Sequence, residues 1–227
     1  MMPKTNFVDE MNCKAIIFDL DGTLLDTLVD LADAGNKVLA NAGLPVHTTD
    51  SYRYFVGDGL ITLIQRILPE DMRSTEKVRQ MAESFREVYA TNWNAKTKPY
   101  EGIEEMLSGL KSKDLPMNIL SNKPDDFTKV CVREFFGSDT FVHVLGNRDG
   151  VPKKPDPAGA LEIANLLSLS PAEILYLGDT ATDMQTAVAA DMLAVGALWG
   201  FRPARELEEN GAKHLVTHPV EVLELIR

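Results

Sequence analysis

Short, almost unbroken apolar runs recur along the chain, and each stops abruptly at a cluster of small polar or acidic residues. Lys14-Ala15-Ile16-Ile17-Phe18 ends at Asp19-Leu20-Asp21-Gly22-Thr23, and residues 116–120 end at Ser121-Asn122-Lys123. Residues 141–145 run into Gly146-Asn147 and residues 174–177 into Gly178-Asp179-Thr180; residues 193–197 follow, with His214-Leu215-Val216 a weaker last member. Apolar runs of this length, without alternation, suit strands buried on both faces of a parallel sheet. Residues 102–113, 124–136 and 157–168 read instead as amphipathic helices. The last has Asp156 as N-cap and Pro157 at the first helical position, where the missing N–H costs no bond. Ser170-Pro171-Ala172-Glu173 has the spacing of a capping box. The alternation predicts an α/β fold, a doubly wound parallel sheet with ligands at the carboxyl ends of its strands. The polar clusters fall at those ends.

Residues 27–95 break the pattern. Leu28, Leu31, Ala32, Val38, Leu39 and Ala42 predict a helix closed by Gly43-Leu44-Pro45, and residues 60–68 and 75–93 predict two more. Val78, Met81, Phe85, Val88 and Tyr89 give the latter its apolar face. The block reads as a small all-helical domain inserted after the first strand, so that residues 1–26 and 96–227 form one α/β unit and 27–95 a lid above its mouth. Residues 1–12 read as a loose leader. Hinges are expected near Asp26-Thr27 and around Lys96–Pro99, where closure would control water.

Composition narrows the function. The 227 residues carry 23 Lys and Arg against 34 Asp and Glu, a formal charge of −11. Such a surface repels phosphate backbones and anionic lipid, so neither nucleic acid nor membrane is an expected partner. No apolar run approaches the ~20 residues of a membrane span, and the N-terminus has no secretory pattern. The two cysteines, Cys13 and Cys131, form no motif and suit free thiols in a reducing, cytoplasmic setting. The chain reads as a monomer or homodimer acting on a small molecule.

The candidate chemistry lies in the polar clusters. In Asp19-Leu20-Asp21, residues i and i+2 point the same way on extended backbone, so both carboxylates can face one site. Gly22 allows a tight turn that frees backbone N–H groups for an anion. Gly178-Asp179-Thr180-Ala181-Thr182-Asp183 brings two more acids. Carboxylates converging from two strand ends make an oxygen-rich site suited to Mg²⁺, although Asp179 could instead cap the helix near Ala181. Ser121 and Asn122 offer donors for phosphoryl oxygens. Lys153-Lys154-Pro155-Asp156-Pro157 places a cation just before a helix start, and Pro155 and Pro157 stiffen the backbone around a held ammonium; charge alone does not separate Lys153 from Lys154. Met81, Met106 and Met184 read as core, and His214 and His218 as unrelated to a metal.

Together these segments resemble the haloacid dehalogenase-like phosphohydrolase superfamily, from Ala15 onward. The motif DxDGT followed by Leu and Asp is matched by Asp19–Thr23, Leu24, Leu25 and Asp26. The Ser or Thr after an apolar strand is matched by Ser121, with Asn122. Lys154-Pro155 matches the lysine motif, and Gly178–Asp183 matches GDxxxD. The resemblance implies a Rossmann-like core with a small helical cap, a nucleophile at Asp19 that becomes an aspartyl phosphate, and Asp21 as general acid and base. It also implies Mg²⁺ held by Asp19, the Asp21 backbone carbonyl and Asp179, with Asp183 in or just behind that shell. Ser121 and Lys154 would hold phosphoryl oxygens, with Gly22, Thr23 and Asn122 nearby. Tyr54-Phe55-Val56-Gly57-Asp58-Gly59, Arg66 and Trp199-Gly200-Phe201-Arg202 are similar to phosphoglycolate phosphatases, which makes 2-phosphoglycolate the leading substrate. That likeness implies that Gly57 and Gly59 bring insert backbone close to the substrate and that Arg66 or Arg53 meets its carboxylate, while Asp58, awkward beside an anion, should point away or accept a hydrogen bond.

The division of labour is physically reasonable. At ~4 Å an uncompensated like-charge pair costs about 4 kcal/mol at an effective dielectric of 20, so an anionic carboxylate reaches a phosphate only with cations present. The second acid, Asp21, argues against a dehalogenase. Lys37, in a packing helix, is a poor Schiff-base lysine for phosphonate cleavage. A sugar-phosphate phosphatase or phosphosugar mutase remains an alternative, and a non-catalytic phospho-accepting domain a distant one.

Overall fold

The computed structural model describes residues 13–226; the leader expected at 1–12 lies outside them. The core sheet is formed by β1 (Ala15–Phe18), β4 (Met117–Pro124), β5 (His143–Asn147), β6 (Ile174–Gly178), β7 (Leu193–Ala197) and β8 (His214–Val216). Their order is β5-β4-β1-β6-β7-β8, with parallel pairing throughout. The chain winds outward from β1 to β5, returns to β6, and winds outward again. The crevice at this reversal, beside β1, is where a doubly wound sheet places its ligand.

Burial of β1 on both faces follows from its residues. Ala15 and Ile17 join a core with Ala160, Ile163, Met184, Ala187 and Leu207, from α7 (Ala158–Leu167), α8 (Ala181–Ala189) and α9 (Ala204–Glu209). Ile16 and Phe18 join the opposite core with Ile103, Met106, Leu110, Cys131 and Val132, from α5 (Ile103–Ser112) and α6 (Asp125–Phe136). The period of two thus splits one run between two cores.

The helical insert packs about its own core. It comprises α1 (Leu28–Asn41), α2 (Tyr52–Phe55), α3 (Leu60–Ile67) and α4 (Thr75–Asn92). Leu31, Val38, Tyr52, Ile64, Ile67, Met81 and Phe85 are buried together there. At its neck, β2 (Leu25–Asp26) pairs antiparallel with β3 (Lys98–Pro99), beside the expected hinges. Asp30 of α1 fastens the return segment, accepting from the backbone N–H groups of Lys96 and Thr97 at 2.9 and 2.8 Å and from the Thr97 hydroxyl at 2.8 Å. No periodicity announces a two-residue ribbon, so the sequence pattern does not contain it.

Three local expectations shift. Helix α7 begins at Ala158 with Pro157 as its cap residue, and Asp156 caps from one position further out, its Oδ1 accepting from the Ala158 N–H at 2.9 Å. The capping box at Ser170 and Glu173 is present but opens a single 3₁₀ turn leading into β6. Asp179 does not cap α8: Thr180 does, in a reciprocal box with Asp183. Met81, Met106 and Met184 are buried, as read. No helix among the described residues is long and apolar enough to cross a membrane.

Candidate active site

Three strand ends build the site. Asp19 follows β1 and Asp179 follows β6, while Ser121, Asn122 and Lys123 sit near the carboxyl end of β4, where its register with β5 shifts between Leu120 and Pro124. Such an irregularity takes residues out of the ladder and re-aims their side chains, a device found beside active sites. Lys154 comes from the segment between β5 and α7.

One oxygen from each of Asp19, Asp179 and Asp183 lies within 4.8 Å of the others, and all three residues are buried. Lys154, itself buried, bridges two of them, with Nζ 2.8 Å from Asp19 Oδ1 and 2.7 Å from Asp183 Oδ1. Burial, then repulsion from Asp183, pushes the Asp19 carboxyl up to about 7 despite Lys154. Burial, then Asp183 and Asp19, also raises Asp179. Burial alone would depress Lys154, but Asp183 and Asp19 outweigh it and hold its pKa well above the ordinary lysine value. Three buried carboxylates facing one ammonium leave uncompensated negative charge in a low-dielectric pocket. The set is all oxygen and within reach of one ion, so a hard divalent cation such as Mg²⁺ fits it. Asp183 is the most heavily engaged of the three. Besides Lys154, its Oδ2 accepts from the Thr180 N–H at 3.0 Å and the Thr180 hydroxyl at 2.6 Å.

Asp179 is held from two sides, by the Thr23 hydroxyl at 2.8 Å and the Phe201 N–H at 2.8 Å. The Trp199 indole N–H donates to the Thr23 carbonyl at 2.9 Å, so the 199–202 segment locks the first motif onto the fourth. Gly22 sits between them at φ +91, and a Cβ there would strike the Asp179 carboxylate and the Phe201 ring. Thr23 therefore positions Asp179.

The Asp21 carboxylate lies outside the three-acid cluster. Both its oxygens accept from Lys123 Nζ, at 2.9 and 3.0 Å, and the same ammonium lies 3.2 Å from the Tyr89 hydroxyl of α4. Burial alone would lower Lys123, yet Asp21 holds its pKa above the ordinary lysine range. Lys123 is the residue that reading motif by motif passes over. Its signal is position i+2 from Ser121, the same side of the strand.

Two expected ligand-binding groups are already engaged. The Asn122 amide donates to the Gly57 and Lys154 carbonyls, both at 3.1 Å, and its oxygen accepts from the Lys154 N–H at 2.9 Å. Asn122 thus ties the lysine segment and the insert together. Arg66 pairs with Asp58 at 2.5 Å and donates to the Tyr54 and Phe55 carbonyls, while Arg53 is held by Asp50 and the Gly200 carbonyl. Neither guanidinium is free for a substrate in this form. Asp58 accepts from Arg66 and from the Thr182 hydroxyl, at 2.6 Å, and these partners overcome burial and lower its pKa.

The insert closes over the site through Asp58–Thr182, Gly57–Asn122, Lys153 Nζ on the Asp58 carbonyl at 2.5 Å, and Arg202 on the Val56 carbonyl at 3.0 Å. Replacing Asp58 with alanine is expected to speed hydrogen exchange in residues 56–60 while leaving the sheet unchanged; equal rates in that loop would contradict the latch. Because the Asp58 pKa is lowered on folding, its contribution is present above the ordinary carboxylate range and lost as pH falls through its folded value. The wild-type loop should loosen in acid accordingly.

Between the insert and the sheet lies a cavity of about 260 Å³, with Asp19, Asp21, Ser121 and Lys123 on its floor and Leu31, Val56, Leu60, Leu63, Phe85 and Phe127 among its walls. His214 and His218 play no part in it; the His218 ring packs against Gly102. The site thus offers an ionisable carboxyl at Asp19, a second carboxylate two residues on, buried cations and a partly open chamber beneath the insert.

The comparisons with known proteins agree with this arrangement. The haloacid dehalogenase-like hydrolase family matches residues 16–197. A phosphoglycolate phosphatase of Psychrobacter arcticus is 30% identical over 205 residues, covering 88% of this chain and 89% of that protein. One from Thiobacillus denitrificans is 32% identical over 202 residues, covering 86% and 88%. A crystal structure from Lactobacillus delbrueckii subsp. bulgaricus, described as a candidate phosphoglycolate phosphatase, superposes with a TM-score of 0.89 at 30% identity, over 95% of this chain and 99% of that one. The chain belongs to the haloacid dehalogenase-like hydrolase family and is a phosphoglycolate phosphatase-like enzyme.

Proposed function

We propose that this enzyme hydrolyses a small phosphorylated metabolite, 2-phosphoglycolate, by way of a phosphoryl group carried on Asp19. The observation that carries the reading is the placement of Asp19: it faces the cavity floor beside Ser121, with Lys154 on one carboxylate oxygen and Asp179 and Asp183 within reach of a shared ion. The substrate's identity rests on the names of the relatives.

Asp19, Asp179, Asp183 and the Asp21 backbone carbonyl would hold Mg²⁺. When bound, Mg²⁺ supplies positive charge that lets one anion approach another and polarises the phosphoryl group. Asp19 attacks phosphorus, and the bond to the leaving oxygen breaks. Asp21, swung over the cavity by Lys123, gives that oxygen its proton. Asp21 then takes a proton from the water that attacks the phosphorus of the aspartyl phosphate, which frees inorganic phosphate and restores Asp19. Lys154 and the Ser121 hydroxyl hold phosphoryl oxygens, and Lys154 keeps Asp19 aimed. The insert excludes bulk water, opening at the 25–26 and 98–99 ribbon. The buried, unpaired thiols Cys13 and Cys131 suit a cytoplasmic setting.

The test is phosphate release across a panel of monoesters with Mg²⁺. Activity is expected to cease with EDTA, return with excess Mg²⁺, and be highest in kcat/KM for 2-phosphoglycolate. Full activity in EDTA would overturn the metal assignment, and a preference for sugar phosphates would overturn the substrate.

A further inference from the structure

We infer that Arg86 is the specificity-determining cation of this site, and that it selects phosphate monoesters whose leaving group ends in a second anionic group, a carboxylate above all. The inference rests on the phosphatase reading and deepens it.

The charged side chains that line the cavity are Asp19, Asp21, Arg86, Lys123 and Asp126. Lys123 is bound to both oxygens of Asp21, and Asp19 is bound to Lys154. Asp126 accepts from the Phe127 N–H at 2.7 Å. Arg86 has no acidic partner among the described residues, whereas the other arginines of the insert are engaged: Arg53 by Asp50, Arg66 by Asp58, Arg79 by Glu76 and Arg73 by the Leu68 carbonyl. It lines the chamber from an exposed position on α4, at the rim, and none of its donors is engaged by a side chain or carbonyl among the described residues.

Its position on α4 matches a short leaving group. Tyr89, three residues on, sits about 4.5 Å further along the helix axis and touches Lys123 over the catalytic floor. Phe85 stacks on Tyr89 with ring centroids 5.5 Å apart, which fixes this helix face. A phosphoryl group on the Asp19 side thus leaves its tail pointing along apolar walls toward a planar guanidinium, whose fork suits a carboxylate. Without Arg86, the charge left at the rim is that of Asp126, which repels the same tail. The residue therefore sorts esters by tail charge.

The test compares 2-phosphoglycolate with ethyl phosphate, which has the same number of carbons and no tail charge, in the Mg²⁺-loaded enzyme. Arg86→Gln is expected to raise KM for 2-phosphoglycolate by about tenfold, the order of one charge-assisted hydrogen bond, and to lower the kcat/KM ratio between the two esters by a similar factor. Arg86→Lys should recover part of the ratio, and Arg79→Gln, on the outer face, should not change it. An unchanged ratio, or an equal loss on both esters, overturns the inference while leaving the phosphatase reading in place. A wild-type enzyme that hydrolyses neither ester overturns both.

Discussion

Asp19→Asn is expected to leave a folded protein with turnover reduced by at least about 10⁴-fold, which corresponds to roughly 5.5 kcal/mol of lost transition-state stabilisation. A carboxamide has nearly the shape of the carboxylate but cannot carry the phosphoryl group, so the covalent route closes. Stability should move the other way in the metal-free enzyme. A carboxyl whose folded pKa is raised to about 7 disfavours the folded state as pH rises through that value. An asparagine removes that penalty while leaving Asp183 as a partner for Lys154. Thermal melts at pH 8 should therefore show an equal or higher Tm. Phosphate release within tenfold of wild type would contradict the assignment, and a collapsed melt would show that the carboxylate is structural.

Lys154→Met is expected to damage stability and turnover together. Its ammonium is the cation between Asp19 and Asp183, 2.8 and 2.7 Å away, in a buried pocket. Removing one member of a buried ion cluster costs about 3–5 kcal/mol, because the remaining charges lose their counterion. At ~2–4 °C per kcal/mol for a protein of this size, Tm should fall by roughly 6–20 °C. Turnover should fall by about 10²–10³-fold, as when a preorganised donor to a transferring group is lost. Lys153→Met is the comparison: that ammonium is solvent-exposed and touches the insert through the Asp58 carbonyl and the Thr62 hydroxyl, and its loss should cost about 1 kcal/mol or less. Equal effects at both positions would mean that the buried cluster does not depend on Lys154.

Most of the fold is legible in the sequence because the apolar runs and helical periods are long enough to carry a period. The runs ending at Phe18, Leu120, Leu145 and Leu177 end close to where the strands do, and three helices of the insert, α1, α3 and α4, lie where their apolar periods put them; the fourth, α2, is a single turn too short to show a period. The β2–β3 ribbon is not legible, since two residues a side show no alternation. The site follows the same division. Asp19, Ser121 and Asp179 fall at strand ends, Lys154 in a proline-stiffened turn and Asp183 in the first turn of α8, where their placement follows from the fold. The roles of Asn122, Arg66 and Arg86 depend on which partner each side chain finds across the interface between insert and sheet. Arg66 carries the same charge as Arg86, but Asp58 lies eight residues before it and takes it. Lys123 is hidden for a related reason: its partners Asp21 and Tyr89 are 102 and 34 residues away in the chain.

The most direct test of the phosphoryl-transfer account is acid quenching during turnover of 2-phosphoglycolate with Mg²⁺, followed by mass mapping of the peptides. The account predicts one added phosphoryl group on the peptide that contains Asp19, lost on longer incubation and absent from Asp19→Asn. Rapid phosphate release with that peptide never modified, or with the group on another residue, would contradict it.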